Sequence, residues 1–109
     1  MKTIYGTFSE EQMEQYKKQL HSKMFWMLLY KDPKTSEKYS EVNFDKYFYN
    51  LMREIDGLNI LLGYPSEIVG IMSMLEAAHK ESLKENFDYS IYRKIVLDAH
   101  NLVDKINRG

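Results

Sequence analysis

Glu76-Ala77-Ala78-His79 is the spacing in this chain that best suits metal chemistry. A carboxylate and an imidazole three residues apart share one face of a helix. Helical bundles that hold two iron or manganese ions use such Glu-x-x-His pairs, projecting into the core. That chemistry needs a second pair and two further inward glutamates. The sequence has no second Glu-x-x-His, and in Asp98-Ala99-His100 the acid and the imidazole diverge around a helix. Glu54, next to Ile55, would complete nothing by itself, and a solvated position suits it better. Glu76 and His79 are therefore the residues on which a small ligand or metal site would centre. The simpler expectation for His79 is a hydrogen-bonded histidine at the edge of a core, with neither metal nor cofactor.

His21 and His100 have no nucleophile at a fixed spacing. The five glycines, at 6, 57, 63, 70 and 109, form no phosphate-cradling loop. Gly-x-Ser-x-Gly and His-Glu-x-x-His are also absent. No catalytic residue is nominated, and the chain is expected not to be an enzyme.

Aromatic and apolar residues carry the other signal. There are nine Tyr, five Phe and one Trp among 109 residues, and Met24 to Tyr30 are seven consecutive apolar positions between Lys23 and Lys31. Successive helical residues turn by about 100°, so such a run faces every direction and cannot be buried against one core. Met24, Met27 and Leu28 continue the inward face. Phe25, Trp26, Leu29 and Tyr30 are left over, and with Tyr5 and Phe8 they form the predicted interface. Tyr39, Tyr47, Tyr49, Tyr64 and Tyr89 lie outside the regular seams and would extend the same patch. Exposed aromatic patches of this kind mark partner sites.

Charge is balanced at −1 overall and also locally: four Lys/Arg against three Asp/Glu in residues 1 to 30, five against six in 31 to 63, and six against seven in 64 to 109. A nucleic-acid binder needs a basic stripe to neutralise phosphates, and Lys17-Lys18 and Arg93-Lys94 are isolated pairs. Aromatic platforms without a positive groove do not make a single-strand binder. The absence of cysteine suits a reducing compartment. The apolar run is far shorter than the roughly 20 residues of a membrane span. A cytoplasmic protein without membrane or nucleic-acid partners is expected.

The elements that must position these residues are helices. The chain length suits a single domain over residues 1 to 109. Ser9-Glu10-Glu11-Gln12 reads as a capping box, with Phe8 and Met13 as its staple. Met13, Tyr16, Leu20, Met24 and Met27 follow at helical spacing, predicting a helix over 9–30 that ends before Pro33. A polar loop over 31–42 follows. Phe44, Phe48, Leu51, Ile55, Leu58 and Leu62 predict a second helix over 43–62, closed by Gly63. A third, capped by Ser66, is expected over 66–85 with the seam Ile68, Met72, Leu75 and His79. The fourth, capped by Asp88, is expected over 88–107 with the seam Tyr92, Ile95, Ala99, Leu102 and Ile106. Matched lengths and short connections predict an all-α fold, an antiparallel up-down-up-down four-helix bundle with a short irregular N-terminal arm around Ile4, Tyr5 and Phe8.

In size and in its Lys/Asn/Ile/Tyr-rich composition the chain resembles small four-helix proteins of low-GC bacteria, such as mobile-element accessory proteins and bacteriocin immunity proteins. The likeness is one of class and carries no residue across. The expectation is a non-enzymatic bacterial accessory or regulatory protein that works by protein–protein contact, as a homodimer, with a protein partner, or both. The alternative is a small ligand- or metal-binding bundle centred on Glu76 and His79.

Overall fold

Apolar residues repeating at steps of three and four give four helices in the computed structural model, which describes the backbone at residues 2–3 and 6–7 and the chain from 10 to 106. They are α1 (Glu10–Lys31), α2 (Phe44–Leu61), α3 (Ser66–Ser82) and α4 (Tyr89–Val103). Ahead of them β1 (Lys2–Thr3) pairs antiparallel with β2 (Gly6–Thr7). Where sequence reading finds no pairing partner for the lead-in, the chain pairs with itself in a two-rung ladder. This leaves the fold class all-α. Ile4, Tyr5, Phe8 and Ser9 lie outside the described residues, and with them the expected arm packing, the Ser9 cap and the Phe8 staple.

Asn43 caps α2, and the expected Asp88 cap of α4 forms. The Asn43 side chain accepts the Lys46 N–H at 3.0 Å, and Asp88 accepts the N–H groups of Ser90 and Ile91. Ser66 does not cap α3. Pro65 occupies that position in an extended conformation, its carbonyl accepts the N–H groups of Ile68 and Val69, and Ser66 becomes the first helical residue. Gly63 adopts the left-handed conformation expected of it at φ 79°, and Tyr64 follows at φ 62°. Two consecutive left-handed residues reverse the chain between α2 and α3.

The third and fourth helices stop earlier than the apolar pattern suggests, at Ser82 and Val103. Their last N–H groups reach back three residues rather than four, as in Leu83 to Lys80 and Ile106 to Val103, so the final turn tightens out of α geometry. The 31–42 connection is more ordered than a plain polar crossing. It contains a 3₁₀ turn at Ser36–Tyr39, and Thr35 Oγ1 donates to the Leu29 carbonyl at 2.7 Å.

Contacts between helices fix their mutual directions. Lys17, His21 and Met27 of α1 meet Asp104, His100 and Tyr92, in descending order along α4. Tyr16 reaches the Glu54 carbonyl while Tyr47 reaches that of Lys23, so α1 and α2 also run in opposite senses. Asp45 meets His79 and Asn59 meets Met72, which does the same for α2 and α3. The α3–α4 contact is the most extensive, and α1 against α4 closes the bundle. Met24, Met27, Ile55, Ile68, Leu75, Tyr92, Val96 and Ala99 fill the centre at essentially zero exposure. On α4 the buried face is Tyr92, Val96, Ala99 and Val103, whereas the predicted seam residues Ile95 and Leu102 are half-buried. Steps of 4, 3 and 4 keep that face aligned with the 3.6-residue period over its whole length. The described chain measures 44 × 22 × 19 Å.

Candidate functional site

Helix α1 carries the first candidate. Its inward residues Met24 and Met27 are fully buried and Leu28 packs beside them. At 100° per residue, Ser22, Phe25, Trp26 and Leu29 then point away from both α2 and α4. Phe25 is 56 % exposed and Trp26 38 %, while Leu29 is half-buried.

Tyr30 belongs elsewhere. It packs edge-on against Tyr39 at 5.3 Å and against Tyr47 at 5.1 Å, and Trp26 sits 5.7 Å from both Tyr30 and Tyr39. The 3₁₀ turn thus delivers Tyr39 to the flank of α1, building a four-ring cluster that holds the indole in place. Edge-to-face pairs of this kind contribute about 0.5–1.5 kcal/mol each beyond their buried area. Tyr47 donates to the Lys23 carbonyl at 2.6 Å, and burial, then Tyr30 and Glu54, push its phenol well above the usual range. Of the six residues predicted for the interface, Phe25 and Trp26 are exposed together, Leu29 and Tyr30 are half-buried, and Tyr5 and Phe8 lie outside the described residues. Tyr49, Tyr64 and Tyr89 do not join the cluster: Tyr49 packs on Phe48, Tyr64 sits in the α2–α3 turn, and Tyr89 donates to the Leu28 carbonyl at 3.2 Å.

The second candidate is built around His79. Its imidazole lies parallel to the Phe48 ring at 4.2 Å, with Tyr49 tilted against it at 5.7 Å. Nε2 stands 2.9 Å from Asp45 Oδ1. His79 is buried while Glu76, one turn earlier, is exposed, so the Glu-x-x-His pair does not project together into the core. Among the described residues no group of three or more His, Cys, Asp or Glu could hold a metal ion. A surface pocket of about 260 Å³ opens beside this imidazole, lined by Phe48, Tyr49, Met52, Glu76, His79 and Lys80. Sequence reading missed Asp45 as the partner of His79. The signal was present: the two lie equally far along the chain from Leu62, so an antiparallel α2–α3 hairpin brings them level.

A third polar cluster joins α1 to α4. The rings of His21 and His100 stack at 4.0 Å, and His21 Nε2 is 3.4 Å from Asp104 Oδ1. Lys17, buried along its stem, donates to the Asp104 carbonyl at 3.3 Å. Burial and then the neighbouring His21 hold the His100 pKa below its usual value. On the sequence these two histidines were isolated, since nothing local pairs residues 79 positions apart.

No family model, curated protein or solved structure matches the chain. Among the described residues no helix is long and apolar enough to cross a membrane.

Proposed function

We propose that this protein is a non-enzymatic helical module that acts by protein–protein contact, and that the outward face of α1 is the contact surface, taken up by a second copy of the chain. The observation that carries this reading is the exposure of Phe25 and Trp26, side by side on a helix whose inward residues are already fully buried. The tyrosine cluster behind Trp26 supports it further, because a side chain already held in place loses less entropy on binding.

A second copy is favoured by the pattern along the face itself. Glu11, Glu14, Lys18, Ser22, Phe25 and Leu29 follow one another at steps of three or four and form a single outward stripe. Two such stripes crossing antiparallel about a two-fold axis near Ser22 set Lys18 of each copy opposite Trp26 of the other. An ammonium over an indole face is an attractive pair, and a two-fold interface makes it twice.

Light scattering across a concentration series tests this. The expected result is a dimer that Phe25→Glu converts to a monomer of unchanged helix content. A wild-type chain that stays monomeric at hundreds of micromolar overturns the reading.

A further inference from the structure

The pocket beside His79 is separate from the α1 face and has the makings of a ligand site. A carboxylate accepts hydrogen bonds, so His79 donates Nε2–H to Asp45 Oδ1, 2.9 Å away. In the neutral imidazole that hydrogen bond fixes the tautomer and leaves the lone pair on Nδ1. Among the described residues Nδ1 has no hydrogen-bond partner, and it is not among the fully buried polar atoms left unpaired. The neutral ring thus brings an acceptor to the pocket it lines, and Phe48 holds that ring flat at 4.2 Å.

The other walls fit a flat apolar partner. Phe48 and Met52 are buried and supply an aromatic face and a polarisable thioether, while Tyr49, 60 % exposed, stands as an outer wall. Glu76 and Lys80, one turn apart on α3, place opposite charges at the rim, so the mouth favours neither anions nor cations. A volume of about 260 Å³ equals that of roughly nine water molecules in the liquid, enough for a one- or two-ring compound. Apolar walls with a single fixed polar group are the usual make-up of small-molecule sites.

We propose that this pocket binds a small, uncharged, planar aromatic molecule that carries a ring N–H or O–H, which it donates to His79 Nδ1. Indole and benzofuran are suitable probes, since they share one shape and differ in that donor. Titration of the full chain, followed through the ring ¹⁵N signals of its three histidines, should show saturable indole binding that moves the His79 Nδ1 resonance. Indole should bind about three- to tenfold more tightly than benzofuran, the margin of one hydrogen bond. Asp45→Ala, at an exposed position, should shrink that margin by releasing the tautomer, and Tyr49→Ala should weaken both probes alike. Equal affinity for the two probes, shifts confined to His21 and His100, or no saturation up to the solubility of indole would each overturn the proposal.

Discussion

Tyr92 is fully buried and donates its hydroxyl to the Met27 carbonyl at 2.8 Å across the α1–α4 contact. Burial first, and then the neighbouring Tyr89 and Tyr47, push its phenol far above the ordinary value of 10.0. The unfolded chain therefore sheds this proton at lower pH than the folded chain, and stability is lost as pH rises beyond about 10. Tyr92→Phe should cost about 1 kcal/mol at neutral pH, the usual worth of such a bond, and should make the alkaline decline shallower. Urea midpoints from pH 8 to 11, with phenolate absorbance followed in parallel, check both parts. His100 acts in the opposite direction. Its lowered pKa means that, below the unfolded value of 6.5, the unfolded chain takes up this proton first. Stability should fall on the acid side of pH 6.5, levelling off once the folded form is protonated too, and His100→Gln should flatten that part of the profile. An unchanged acid limb in the variant would refute this role for the stacked histidines.

Two glycines show how position within an element decides a residue's effect. Gly57 lies inside α2, and a Cβ built there meets nothing within 4 Å. Gly57→Ala should raise stability by about 0.5–1 kcal/mol through helix propensity alone. Gly63 has equally open space but sits at φ 79°, and Gly63→Ala should destabilise by about 1 kcal/mol because an L side chain is strained there. Thermal melts of the two variants should therefore move in opposite directions. This glycine cap was legible in the sequence because it closes an uninterrupted 4-3-4-3-4 seam. The Ser66 cap was misplaced because a proline directly before a helix can itself hold the cap position. The ends of α3 and α4 were overextended because sequence patterning does not register a final turn that tightens to i→i−3 bonding. On α4 the apolar pattern favours Ile95 and Leu102 over Val96 and Val103, one position away, a shift that only the packing against α1 and α3 resolves.

For the molecule as a whole, the helical architecture followed from local periodicity, whereas the polar sites depended on contacts between elements. His21 and His100 are brought together by helix register, which no segment of the chain encodes alone, whereas Asp45 and His79 pair across a hairpin whose turn the sequence marks. The α1 face lies between these cases: its apolar excess was plain, yet the recruitment of Tyr30 by Tyr39 required the 3₁₀ turn. What remains outward, Phe25 and Trp26, would tie the proposed assembly to stability. If two copies join through α1 and unfold to separate chains, each tenfold rise in protein concentration favours the folded dimer by about 1.4 kcal/mol. Two chains of 109 residues carry an unfolding entropy of roughly 0.46 kcal/mol per kelvin. The melting temperature should therefore rise by about 3 °C per decade of concentration. Phe25→Glu should abolish that dependence while the chain still melts cooperatively, because an exposed position away from α2 and α4 contributes little to the monomer. Loss of cooperativity in this variant would instead show that Phe25 supports the fold of the single chain, and a wild-type melting temperature independent of concentration would count against the dimer.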